Sequence, residues 1–205
     1  MNQPSLDAIV VTPRSGDDPF TLHGNDVGAN LLGFWRWACS DLVNNVLRGA
    51  LAEYIVGLAL GCVDGGVRLG WDATDLCTSQ GCLVEVKSSA YLQSWPQTKL
   101  SEIGFDIEPK TGWDARTNTN AAERKRQAEV FVFCVLAHKE KATVDPLNLH
   151  QWEFYVLSTN RLNAALGEQK SITLGSLLQR NPTRASFADL RTCIEAAAKE
   201  PPIGA

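Results

Sequence analysis

Apolar and polar positions alternate along the middle of the chain, and the alternation predicts a β-hairpin. From Leu83 to Ser89 the order Leu-Val-Glu-Val-Lys-Ser-Ser puts Val84 and Val86 on one side of an extended strand and Glu85 and Lys87 on the other. Upstream, Thr74-Asp75-Leu76 is separated from this strand by the polar break Ser79-Gln80-Gly81. If the turn spans those three residues, Thr78 faces Cys82 and Asp75 lies opposite Glu85. Lys87 shares that face. Leu76, Val84 and Val86 then form the other face, an apolar set fit to pack on a helix. Asp72 has the wrong parity for the acidic face and ranks below Asp75, unless a bulge or an irregular strand start intervenes.

Other stretches carry their own periods. Asp41 to Leu60 has helical spacing, with Ser40 as the expected N-cap and Gly61 as the stop. At about 100° per residue, Glu53 falls among Leu42, Val46, Gly49, Ala50, Val56, Gly57 and Leu60. A carboxylate on such a face costs several kcal/mol to desolvate unless it is paired or metal-bound; pairing with Arg48, or snorkelling from the edge, are the structural alternatives. Glu129 to Ala137 is almost continuously apolar, as a strand buried on both faces should be, and is expected at the centre of a sheet. Trp152 to Leu157 reads as another strand and Ile103 to Ile107 as a third, with Lys110 to Asn120 a long polar loop able to meet substrate. Thr159 to Leu162 turns into a short helix, and Ser186 to Ala198 has the spacing of a terminal one.

Asp75, Glu85 and Lys87 bring two carboxylates and a lysine to the end of a sheet. That is the set a hard divalent cation needs for phosphodiester hydrolysis. Like charges facing each other across strands are destabilising unless compensated, and a cation together with Lys87 compensates them. An isolated Glu-x-Lys is most often a solvated ion pair of little value; Asp75 across the turn and Glu53 on an apolar helix face set this one apart.

Composition narrows the picture. With 205 residues, 44% of them hydrophobic, the chain can bury one substantial core. Residues 1–30 are polar and rich in Gly, Asp and Pro, and read as a flexible N-terminal arm without a signal-type apolar run; residues 31–205 read as a single domain. No stretch approaches the roughly 18 apolar residues of a membrane span, so a soluble, cytoplasmic protein without a membrane partner is expected. The six cysteines are scattered and suit reduced core thiols. Cys77 and Cys82 flank the hairpin turn like half a zinc site, but no second pair with suitable spacing follows. The net charge of −4 and pI of about 5.4 are unlike a general DNA binder, so any nucleic-acid contact must be local. Arg124-Lys125-Arg126, with Arg116, Lys110 and Lys99 near in sequence, is the densest basic region.

Helix Glu53, then Asp75, then Glu85-Val86-Lys87 on a strand, resembles the PD-(D/E)XK, or restriction-endonuclease-like, nuclease superfamily over about Asp41 to Tyr155. Two departures are visible: Thr74, not Pro, precedes Asp75, and Gln93 is followed four residues later by Gln97 where one branch has Tyr. The resemblance implies an α/β fold with a central mixed β-sheet flanked by helices, and a Mg²⁺-dependent endonuclease, with Mn²⁺ able to substitute. It implies that Asp75, Glu85 and the Val86 carbonyl hold the ion, with Glu53 reaching it directly or through water, and that Lys87 orients the attacking water. Asp72, Ser89 and Gln93 are accessory candidates, and Arg124, Lys125 and Arg126 candidates for nucleic-acid contact. The expected substrate is double-stranded DNA, whose double-strand cleavage would favour a homodimer. The alternatives are an inactive nuclease-fold subunit for DNA binding or assembly, and an RNase.

Overall fold

The computed structural model describes residues 8–68, 70, 73–114 and 118–201. In chain order the elements are β1 (Pro19–Leu22), β2 (Asn25–Asn30), α1 (Leu31–Cys39), α2 (Asn45–Leu60), β3 (Leu76–Cys77), β4 (Leu83–Ala90), β5 (Gly104–Asp106), β6 (Lys110–Asp114) and β7 (Thr119–Lys125). Then come β8 (Val130–Leu136), β9 (Trp152–Ser158), α3 (Thr159–Leu166), β10 (Ser171–Thr173), α4 (Leu174–Leu178), β11 (Thr183–Ala185) and α5 (Leu190–Ala198).

The centre is a five-stranded sheet in the order β11-β9-β8-β4-β3. Only β4 and β8 run parallel; the other neighbours are antiparallel, so the sheet is mixed. Strand β8 is in the middle with all of its residues buried, because its side chains enter a different core on each face. Val130, Val132, Cys134 and Leu136 join Ala52, Ile55 and Val56 of α2 and Leu190 and Ile194 of α5. Phe131, Phe133 and Val135 join Phe105, Leu162, Ile172 and Leu177 on the other. Phe105 meets Phe133 edge-on, with ring centres 5.0 Å apart, the arrangement that aromatic quadrupoles favour. The architecture is α/β, a central mixed sheet with flanking helices, as the sequence leads one to expect.

Helix α2 stops where anticipated. Gly61 adopts the left-handed conformation (φ 65°), and its N–H caps the carbonyls of Gly57 and Leu58. Its start differs: Asn44, not Ser40, is the N-cap, accepting from the Val46 N–H. Asp41 is the reason, since its carboxylate accepts from the Asn44 N–H and holds residues 41–44 in a turn. The register of the helix then leaves Val46 79% exposed, outside the apolar face assigned to it.

Two further differences bear on the site. Lys110 to Asn120, expected as loop, contains β6 and the start of β7, which pair as an antiparallel hairpin. The expectation failed because both strands are polar and β7 is exposed throughout, so no alternation marks them. Of the six cysteines, all free, only Cys134 is fully buried, while Cys39 and Cys77 are exposed rather than core residues. The segment read as an N-terminal arm carries the hairpin β1–β2, every residue of which is exposed. Among the described residues no helix is long and apolar enough to cross a membrane.

Candidate active site

The β3–β4 hairpin closes in the register its sequence predicts. Leu76 pairs with Val84 and Cys77 with Leu83, while the Thr78 N–H donates to the Cys82 carbonyl at 2.9 Å. Gly81 takes the positive φ of 83° that the turn demands. Leu76, Val84 and Val86 pack in the core under α2, which turns Glu85 and Lys87 to the opposite face of the sheet. Asp75, one residue before β3, continues the register opposite Glu85. Its Oδ2 accepts a 2.7 Å hydrogen bond from the Val86 N–H, so the carboxylate is fixed against the backbone of the Glu85-Val86-Lys87 strand.

The charges here are crowded. Lys87 Nζ lies 2.5 Å from Glu85 Oε1, and each of the two side chains is about 20% exposed. Asp75 is held by its neighbours in an unfavourable state. Burial, then the Glu85 charge and more weakly Glu53, push its carboxyl up to about 6, against the opposing pull of the Val86 N–H and Lys87. One backbone hydrogen bond and one lysine therefore fail to offset desolvation and two neighbouring carboxylates.

Glu53 belongs to this group through α2. Its side chain is only 12% exposed and is gripped by Arg68 through two bonds, Nε to Oε2 at 2.5 Å and Nη2 to Oε1 at 2.7 Å. The Arg68 guanidinium is raised above its ordinary value, first by the Glu53 hydrogen bonds and also by the Asp75 charge. Arg48, the partner the sequence offered for Glu53, is instead buried and donates to Ser88 Oγ, the Val43 carbonyl and Asn45 Oδ1. Arg68 lies in an irregular segment with no periodic signal, so sequence reasoning missed it.

Beyond Glu85 and Lys87 the wall is built by β5 and β6. Asp106 and Lys110 pair at 2.6 Å. They line, with Glu85, Lys87, Lys125 and Phe131, a narrow pocket of about 40 Å³. Burial alone would raise the Asp106 carboxyl, but Lys110, the Glu108 N–H and Lys87 outweigh it and hold it below the usual range. Lys110 is raised, chiefly by Asp106 and also by Glu85. Asp106 alternates with the buried Phe105 and Ile107; its proximity to Lys87 depends on how β5 folds back and leaves no trace in sequence.

The remaining candidates divide. Ser89 is buried on β4, on the Glu85 and Lys87 side. Gln93 is tied into its own loop, donating from its backbone to Gln97 Oε1 and from Nε2 to Ser101 Oγ, and its Oε1 is buried without a partner. Asp72 and Arg116 lie outside the described residues. Arg124 and Lys125 are exposed on β7, whereas Arg126 is 6% exposed and faces inward. Its guanidinium donates to the carbonyls of Ile107, Gly167 and Gln169 and to Asn163 Oδ1.

Among the described residues no three His, Cys, Asp or Glu side chains are grouped to hold a metal ion by themselves. The donors that do lie together are of another kind: two carboxylates, Asp75 and Glu85, beside the backbone of Val86, whose N–H and C=O leave an extended strand toward the same edge. A hard cation that keeps most of its water needs only one or two carboxylates from the protein, and the raised Asp75 carboxyl marks a place where positive charge is wanted. The donor set fits Mg²⁺ or Mn²⁺.

No curated protein and no solved structure matches the chain. Residues 36–174 match the family model for bacteriophage T4 endonuclease IV, a span that includes α2, the β3–β4 hairpin, β5 and the β6–β7 hairpin. That is well over half of the chain and takes in every residue of the site, and the chain therefore belongs to the bacteriophage T4 endonuclease IV family and is a nuclease.

Proposed function

We propose that this nuclease is a Mg²⁺-dependent DNA endonuclease of the PD-(D/E)XK type. The observation that carries the reading is Asp75, a half-buried carboxylate fixed to the Val86 N–H beside Glu85, with its proton affinity raised by burial and by other acids. Asp75, Glu85 and the Val86 carbonyl would hold the cation, with Glu53 at the edge of the site through water. When bound, Mg²⁺ supplies Lewis-acid polarisation of the phosphoryl oxygen and lowers the pKa of attacking water.

The chain's own residues do the rest. Lys87, which pairs with Glu85, would hydrogen-bond the attacking water through its ammonium and offset charge developing on the phosphate. Arg68 fixes the orientation of Glu53 through its two bonds. The apolar wall of Leu76, Val84 and Val86 under α2 keeps the strand rigid, so the three groups need not reorganise during reaction.

The test is a digest of supercoiled plasmid and of duplex and single-stranded oligonucleotides in Mg²⁺, Mn²⁺ or EDTA. Cleavage is expected with either metal and none with the chelator. Lys87→Ala should slow it by about 10²- to 10³-fold while DNA binding persists. Cutting that continues in EDTA, or at full rate in Lys87→Ala, would reject this reading.

A further inference from the structure

The β6–β7 hairpin places two lysines where like charges ought not to be. Lys110 and Lys125 are direct register partners at its base, so their side chains leave the same face with Cβ atoms about 5 Å apart, an arrangement that is destabilising on its own. Asp106 neutralises Lys110. Lys125 has no ion pair among the described residues, and nearby Glu108 is already taken by Arg124 and Lys170. Both lysines line the pocket that also holds Glu85 and Lys87.

The pair is also held in place. Gln127 Nε2 donates to the Lys110 carbonyl at 2.9 Å and to the Lys125 carbonyl at 3.4 Å, bridging the two strands beneath the lysines. Gly112 permits that approach, since a Cβ there would stand 3.0 Å from the Gln127 amide carbon. Arg124 and Arg126 tie the same base to Pro109 and Ile107 through backbone carbonyls. The backbone under the two ammonium groups is therefore set before any ligand arrives, which limits the ordering cost of binding to the side chains. The pocket is narrow and opens to solvent beside the two lysines, so their ammonium groups suit a phosphate with the rest of the nucleic-acid chain passing outside.

We infer that Lys110 and Lys125 form a phosphate clamp at the mouth of the active site, gripping the nucleic-acid backbone beside the phosphodiester that is cut. The clamp rests on the nuclease site proposed above and adds to it the part that positions substrate. It gives a protein of net charge −4 a local cationic surface where one is needed, and arriving phosphate competes with Asp106 for Lys110.

The experiment measures anisotropy of a fluorescein-labelled DNA oligonucleotide, duplex and single-stranded, in EDTA across a salt series, followed by steady-state cleavage in Mg²⁺. Lys110→Ala/Lys125→Ala should bind roughly 10- to 100-fold more weakly at low salt, with the slope of log K against log salt reduced by about two. KM should rise while kcat changes little, and the paired arginine variant should restore both. Lys125→Ala alone, at an exposed position without an ion pair among the described residues, should give part of the effect with an unchanged melting temperature. An affinity and salt slope equal to wild type in the double variant would overturn the clamp and leave the nuclease reading intact. Lysine-dependent binding by a wild-type protein that cuts nothing in Mg²⁺ would instead overturn the proposed reaction and leave the clamp standing.

Discussion

Asp75→Asn is expected to abolish cleavage and, in the same protein, to raise the melting temperature of the metal-free form near neutral pH. The first effect follows from the proposed loss of a charged ligand, about 10³-fold or more in rate, or some 4 kcal/mol of transition-state stabilisation. The second follows from linkage. The folded-state carboxyl of Asp75 titrates at about 6, above the ordinary value near 4, so the folded protein binds this proton more tightly than the unfolded chain does. The ionised form therefore costs stability. The penalty is complete above about pH 6 and fades as pH falls toward about 4, at most about 3 kcal/mol. Asn keeps an oxygen for the Val86 N–H and discards the charge, so at pH 7.5 its melting temperature should exceed that of wild type by up to roughly 6–10 °C, converging near pH 4. Mg²⁺ should stabilise wild type and leave the variant unmoved. Thermal scans at pH 4.5 and 7.5, with and without Mg²⁺, read all of this; a less stable Asp75→Asn at pH 7.5 would show that the carboxylate is well compensated in the free protein.

Arg126→Ala should produce the largest loss of stability. The buried guanidinium bonds four acceptors that come from the end of β5, the end of α3 and the segment before β10. Hydrogen bonds from a charged donor are worth more than neutral ones, and truncation leaves three backbone carbonyls unpaired around a cavity. A loss of roughly 3–5 kcal/mol is expected, or about 6–15 °C in melting temperature for a chain of this size. Arg126→Lys should recover only part, because an ammonium lacks the planar fork that reaches divergent acceptors. A residue acting on nucleic acid would behave in the opposite way, with unchanged melting and weakened DNA binding. Differential scanning fluorimetry and the anisotropy assay together separate the two.

Arg126 also shows where sequence stops being informative. Within Arg124-Lys125-Arg126 the letters are almost equivalent, yet one side chain binds a neighbouring acid, one is exposed at the pocket that Glu85 and Lys87 line and one is a buried strut. Nothing in the run distinguishes them, because the difference is made by α3 and the turn that follows it, far away in the chain. The β3–β4 register was legible for the converse reason. A short polar turn and a strict alternation determine the pairing locally, and a slip by one residue would have put Glu85 and Lys87 into the core. Strand β8 was legible from its unbroken apolar run. Glu53 was recognised as an oddity on its helix, but its partner Arg68 was not. The start of α2 was misplaced because Asp41, Asn44 and Ser40 are all capping residues, and only the turn made by Asp41 decides among them.

The parallel pairing of β4 with β8 has a consequence for the order of events in folding. Asp75, Glu85 and Lys87 lie within one short hairpin, yet that hairpin is a sheet edge until β8 docks against it, and residues 91–129 separate the two strands. Closing such a loop is an entropic cost met before the contacts that reward it, and non-local parallel pairing is slow to form. A nascent chain would thus carry all of its proposed catalytic groups well before it could hold them in place, and would become able to cut only once synthesis had passed β9. Pulse-labelling hydrogen exchange during refolding should show the Val86 amide protected together with the amides of β8; protection of Val86 ahead of β8 would mean that the hairpin organises itself.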